Sequence, residues 1–293
     1  MRLFIRPFME HLRDLLSPLS WFTDTGCPVP SVTADQMREL DRIAVEDTGP
    51  LLLQMMENAG RNLALLALEQ LGAQWRDRMV VVLAGTGGNG GGGICAARHL
   101  ANRGVAVQLC LTGRDRLQAA AAYQHHIYTA TTGAEISPSD LPTLRPDLIV
   151  DALLGYSLTT APRGIAAAAI AWANQCSAPT VALDLPSGLH ATTGETLGEC
   201  IRATTTLTLA LPKTGLWPEK TGPIMLADIG IPARAFQRLG VAYKSPFDDR
   251  FRVPLRYEKF SSRQPVNSDG GYAGNGLKPV DFSTPRSETP YEL

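Results

Sequence analysis

The chain has 293 residues, 44% of them apolar and 19% charged, with 27 basic against 28 acidic side chains and a formal net charge of −1. That is globular material, enough for one large α/β domain or two small ones. The charges show no block segregation, so nothing attracts a polyanion over long range, and nucleic acid is excluded as an expected partner.

The first 22 residues, MRLFIRPFMEHLRDLLSPLSWF, are apolar and partly basic, but Glu10 and Asp14 interrupt what would be the uncharged core of a signal peptide. Residues 1–30 are therefore expected to form an appended amphipathic extension. No run reaches the ~20 apolar residues that span a bilayer, so no membrane is expected. Five widely spaced cysteines, without CxxC or a Cys/His ligand cluster, fit free thiols in a reducing, cytoplasmic setting and no zinc site.

Helical signals open at Thr33, where T-A-D-Q reads as a capping box, followed by Met37, Leu40, Ile43 and Ala44 on one face. A second helix is predicted over residues 51–71, with Gly72 as its stop. After Trp75, β-branched runs alternate with Ala-rich helical stretches, the signature of βαβ units. Strands are predicted over 79–84, 105–111, 148–151, 179–184, 204–211 and 223–228, and helices over 94–102, 115–129 and 163–174. VVVLA and LIVDAL are apolar throughout, as expected when helices cover both faces of a parallel sheet. From Tyr257 onward Pro, Gly, Ser and isolated charges predict a disordered tail.

Between the first of these strands and its helix lies GTGGNGGGG, residues 85–93, in which only Thr86 and Asn89 carry side chains. Bare backbone at a strand-to-helix turn suits an anion: unpaired N–H groups point outward and the helix dipole adds about half a positive charge. A nucleotide diphosphate is expected here. Gly85, Gly87 and Gly90 satisfy G-x-G-x-x-G, a weak pattern alone, and no Lys-Ser or Lys-Thr follows to make a P-loop. Asp151 and Asp184 close later strands at the carboxyl edge, where open parallel sheets hold ligands, and a buried acid there is costly unless paired or bound. A helix N-cap is the alternative for each. Asp228 ends another strand and reads as structural. Lys213 reads equally as a phosphate contact or a solvated loop lysine. His125 and His126 read as packed or surface residues.

From Ser31 to Pro232 the chain resembles the YjeF N-terminal-domain proteins, the NAD(P)H-hydrate epimerases. The resemblance runs in order through ADQMRELDRIAVED, MMENAGRNLA, the glycine run with AARHL, PDLIVDALLG, VALDLPSGL, LALPKTGL and ADIGIP. It implies a Rossmann-like three-layer α/β/α domain with a mostly parallel central sheet over residues 31–240, followed by a low-complexity tail over 241–293. It also implies a homodimer that interconverts the R and S hydrates of NADH and NADPH with the help of a potassium ion. Carried over by position, the metal ligands are Asn89, Asp151 and Ser187. The substrate contacts are Gly88, Asn89, Gly90, Gly91 and Gly92, then Gly155, Tyr156, Ser157, Leu158, Thr159, Thr160 and Ala161, with Asp184 beside the altered ring as the catalytic acid and base. One amide oxygen, one carboxylate and one hydroxyl, completed by backbone carbonyls, are hard donors carrying a single negative charge, which suits a monovalent cation.

The chain departs from the family loop N-N-G-G-D-G, with Gly88 in place of the first amide and Gly92 in place of the acid. Ser157 stands where the family often has glycine. A non-catalytic scaffold or binding module of the same fold is therefore the alternative reading. An NAD(P)-dependent oxidoreductase would want a ribose-binding acid after the second strand, where only Asp115 is offered. A fused ATP-dependent dehydratase has no room in the expected tail.

Overall fold

The computed structural model describes residues 19–259. The expectations for residues 1–18 and 260–293 lie outside them. Ten strands form one sheet: β1 (Leu19–Thr23), β2 (Pro28–Val29), β3 (Met79–Ala84), β4 (Ala106–Leu111), β5 (Ala134–Ile136), β6 (Leu148–Ala152), β7 (Thr180–Leu183), β8 (Thr205–Leu209), β9 (Ile224–Ala227) and β10 (Arg252–Lys259). Their order is β2-β1-β10-β9-β8-β7-β6-β3-β4-β5. The seven strands from β3 to β9 run parallel, while β10, β1 and β2 are added antiparallel at one end.

The apolar runs are explained by the layers. Along β3, Val80, Val82 and Ala84 enter one core with Leu63 and Ala67 of helix α2 (Leu52–Leu71) and Ile94 and Ala97 of helix α3 (Gly88–Ala101). Val81 and Leu83 enter the opposite core with Ala169 and Ile170 of helix α5 (Gly164–Gln175). Successive strand residues face opposite sides, so a strand covered on both faces has no polar register. Burying each large side chain contributes about 1.5–3 kcal/mol. Helix α4 (Ala119–Tyr128) follows β4, and Tyr128 anchors it under the first core. His125 is packed against Glu135 at 2.7 Å.

A third core lies where the antiparallel strands join. Helix α1 (Ala34–Arg42) packs Met37 and Leu40 with Trp21, Leu226, Val253 and Leu255. Its Thr33 capping box forms as expected, Thr33 N–H donating to Gln36 and Gln36 N–H to Thr33 Oγ1.

Two expectations need correction. The ordered sheet extends beyond residues 31–240 on both sides, since β1 and β10 pair with each other over five residue pairs and β10 pairs with β9. Residues assigned to an extension and a tail thus complete the third core. The glycine run is also not a loop throughout, because α3 begins at Gly88 rather than near Ile94. Glycine weakens a helix by about 1 kcal/mol relative to alanine, but here tertiary packing wins. A Cβ on Gly91 would stand 2.6 Å from the Met56 side chain, and one on Gly92 2.8 Å from Leu183 Cδ2. The helix can lie this close to α2 and to β7 only without side chains at these positions.

Candidate active site

The sheet order places β3 between β4 and β6, so the connections leaving β3 and β6 diverge to opposite sides. This is the switch point at which a doubly wound sheet opens a crevice at its carboxyl edge. A cavity of about 730 Å³ occupies it. The size is that of a small-molecule or cofactor site.

One wall is the N-terminus of α3. The first intrahelical bond there runs from Gly91 N–H to Gly87 C=O at 2.9 Å. The N–H groups of Gly88, Asn89 and Gly90 precede it and have no carbonyl within the helix to bond. Gly87, Gly88, Asn89 and Gly92 line the cavity, while Gly90 and Gly91 are buried behind it. Of residues 155–161, Gly155, Tyr156 and Ser157 line the wall, and Leu158, Thr159, Thr160 and Ala161 do not. The expected substrate segments therefore split between contact with the cavity and support behind or beside it.

Asn89, Asp151 and Ser187 converge although they come from three elements. The Ser187 hydroxyl donates to Asp151 Oδ1 at 2.6 Å, and Ser187 N–H donates to Asp151 Oδ2 at 2.8 Å. Leu153 N–H donates to Oδ1 at 3.2 Å. Asn89 Nδ2 donates to the Leu154 carbonyl at 3.1 Å, leaving Oδ1 as the amide's acceptor, and Leu154 N–H reaches Ser187 Oγ at 2.9 Å. Asp151 is fully buried, and burial pushes its carboxyl up to about 6 despite these donors. All its hydrogen-bond partners among the described residues are neutral. A wholly desolvated carboxylate beside an amide oxygen, a hydroxyl and a backbone carbonyl is a donor set that fits one monovalent cation.

Asp184 follows β7 with φ of 69°, a left-handed conformation that aspartate tolerates better than most residues. Lys213 Nζ rests on Asp184 Oδ1 and donates to the Leu209 carbonyl at 2.9 Å, and Leu209 N–H donates to Asp184 Oδ1 at 3.3 Å. Both side chains are at least 95% buried, with 1% and 5% of Lys213 and Asp184 exposed. The solvated-loop reading of Lys213 is thereby corrected: a lysine buried this deeply is retained by the carboxylate facing it. The contact with Lys213 fixes the Asp184 side chain in the cavity wall.

Asp41 of α1 was missed from the sequence. It accepts the Tyr156 hydroxyl at 2.7 Å and lines the same cavity. The signal was available, because Asp41 stands one turn after Met37 and before Ala44, a charge set into an apolar helix stripe. Asp228, by contrast, accepts Gly230 N–H at 2.8 Å and shapes a turn.

A second polar cluster lies farther along α3. Glu57, Cys95 and His99 bring three ligand atoms within 4.8 Å of one another. The sequence reading saw no such group, since Cys95 and His99 meet only through their one-turn spacing and Glu57 arrives from α2. Arg98 already fills the position a metal would take, resting on Glu57 and lying 3.4 Å from Cys95 Sγ. Burial and then Glu57 push the Cys95 thiol up to about 12. Any cation entering here would have to displace the Arg98 guanidinium from Glu57 and Cys95.

Among the described residues, no helix is long and apolar enough to cross a membrane. The model of the YjeF-related protein N-terminus family matches residues 52–215. An NAD(P)H-hydrate epimerase of Dehalogenimonas lykanthroporepellens is 49% identical over 238 residues, 81% of this chain and 97% of that protein. An enhancer of mRNA-decapping protein 3 from Macaca fascicularis is 34% identical over 80% of this chain and 46% of its own length. The crystal structure of a yeast protein, ynu0, superposes with a TM-score of 0.66 at 22% identity, covering 77% of this chain and 100% of that one.

Proposed function

The chain belongs to the YjeF-related protein N-terminus family, and from that premise we propose that it is an isomerase that interconverts the R and S forms of hydrated NADH and NADPH. The observation that carries this reading is the meeting, in one cavity, of an open helix N-terminus and the buried Asp184–Lys213 pair. The first suits a pyrophosphate and the second a ring that becomes cationic.

The ring carbon bearing the hydroxyl sits next to the ring nitrogen. Its C–O bond breaks as the hydroxyl gains a proton and leaves as water, and the nitrogen lone pair stabilises the cation that remains. Asp184, held by Lys213, faces that cation and orients water for return to either face. Loss and return of water exchanges the two configurations. Gly88, Asn89 and Gly92 with Gly155, Tyr156 and Ser157 enclose the substrate in this reading, while Gly90 lets α3 close on the Gly85 backbone and Gly91 lets it pack against Met56 of α2.

Asn89, Asp151 and Ser187 would hold a potassium ion. When bound, it would supply a fixed positive charge that offsets Asp151 and adds attraction for the substrate's phosphates. A homodimer and a cytoplasmic setting complete the reading.

The test is to incubate the protein with one pure hydrate epimer and to follow the other by chromatography. Conversion well above the spontaneous rate is expected. Conversion at the spontaneous rate would sink the proposal and favour a non-catalytic module. That second reading draws on the decapping relative and on Gly92, where a family-type acid would press on Leu183.

A further inference from the structure

The Asp41–Tyr156 pair lies in the cavity wall, and the steps above give it no role. It joins α1 to the stretch after β6, and among the described residues Asp41 has the Tyr156 phenol as its hydrogen-bond partner. The two carboxyls of the cavity thus stand in unlike surroundings. Asp184 carries an ammonium and a backbone N–H on one oxygen, whereas Asp41 carries one neutral donor. Burial raises Asp41 above the usual carboxylate range, with Tyr156 and Lys213 opposing and Asp184 adding to the rise. Carboxyls set apart in this way divide acid from anion work.

Resting on the epimerase reading, we propose that Asp41 is the general acid of the site, giving its proton to the departing ring hydroxyl while Asp184, held by Lys213, faces the ring cation. The C–O bond electrons leave with the oxygen, which departs as water. When water adds back, its oxygen forms the new bond to the ring carbon and its surplus proton returns to Asp41. The enzyme ends as it began, with no oxidant, reductant or further reactant consumed. Tyr156 positions the carboxyl through its hydroxyl.

The experiment measures kcat across pH, together with hydrate affinity, for the parent, Asp41→Asn and Tyr156→Phe. The groups that face Asp41 and set its titration are Tyr156, Lys213 and Asp184, with Arg42 and Glu46 in the same wall and Arg38 acting on Tyr156. A general acid is active while protonated, so the parent's kcat should fall as pH rises through the Asp41 titration. Asp41→Asn should lose about 100-fold or more in kcat, keep hydrate affinity within about threefold, and lose that falling limb. Tyr156→Phe removes a donor to the ionised form, so the limb should move to higher pH. A merely structural Asp41 would lower affinity and rate together and leave the limb in place.

Asp41→Asn with kcat within about threefold of the parent, or a limb unmoved by both variants, overturns the assignment. A parent that does not accelerate epimerisation fails the functional reading itself. A parent that does, beside an equally active Asp41→Asn, fails this inference alone.

Discussion

Two carboxylates stand against helix α3 and receive opposite treatment. Glu57 of α2, against the last turn of α3, meets Arg98 and His99, and the neutralising cation is part of the chain. Asp151, near the start of α3, is wholly buried among neutral donors. Their titrations follow: burial would raise Glu57, but Arg98, His99 and Cys95 outweigh it and hold the carboxyl below its usual range, whereas burial wins at Asp151. The contrast teaches how to choose between two clusters that both look like metal sites. The one that supplies its own cation is architecture, and the one that lacks it is the place we propose for potassium.

The sharpest way to break this comparison is to change the two acids separately. Asp151→Asn keeps the shape and removes the charge. It should reduce epimerisation by about 100-fold or more, an effect of the size seen when preorganised electrostatics is removed, and leave the remaining rate indifferent to exchanging potassium for lithium. The parent should slow in lithium, and steady-state rates in the two salts check both statements. Glu57→Gln should leave the rate and its cation response unchanged, because its own cation is Arg98.

Glu57→Gln should instead cost about 1 kcal/mol of stability, a small figure because the 37% exposure of the Glu57 side chain lets solvent screen the pair. The sign of its pH dependence is fixed. A carboxyl lowered in the folded state contributes above its unfolded pKa of about 4.5, and that contribution is lost as pH falls through the folded value. The difference between parent and Glu57→Gln in thermal unfolding should therefore shrink in acid. Asp41 has the opposite sign: its folded value is raised, so its burial costs stability as pH rises, and Asp41→Asn should gain thermal stability relative to the parent at neutral pH over acid.

The smallest effect is expected at Gly88, the position where the family has an amide. A Cβ there meets nothing within 4 Å. Gly88→Asn should fold like the parent, stabilise α3 by a few tenths of a kcal/mol at about the helix propensity difference, and change the rate by less than about threefold. The paired substitution Gly92→Asp meets Leu183 Cδ2 at 2.8 Å and should destabilise the protein. Thermal unfolding of the two variants separates the cases.

Much of the fold was legible in the sequence because the parallel strands are covered on both faces and are written as unbroken apolar runs. VVVLA and LIVDA appear in the sheet as β3 and β6, side by side. What was missed depends on partners distant in the chain. β1 and β10 pair across more than 230 residues, and although Val253 and Leu255 alternate with Arg252 and Arg256, that pattern lay in a stretch assigned to a tail. β5 has three residues at the sheet edge and little apolar character to announce it. In the site, Asp151 and Asp184 were readable as acids closing apolar strands, whereas Asn89 and Ser187 were expected only through the family resemblance. Lys213 and Asp41 were not assigned because burial decides their roles, and no local spacing shows that Lys213 turns inward onto Asp184.

The most direct measurement of the central claim is anomalous diffraction from crystals in which potassium is exchanged for thallium(I). The account predicts one strong peak enclosed by Asn89, Asp151 and Ser187, and none between Glu57, Cys95 and His99. A peak at the Glu57 cluster, or Asp151 with no ion beside it at saturating thallium, would contradict it.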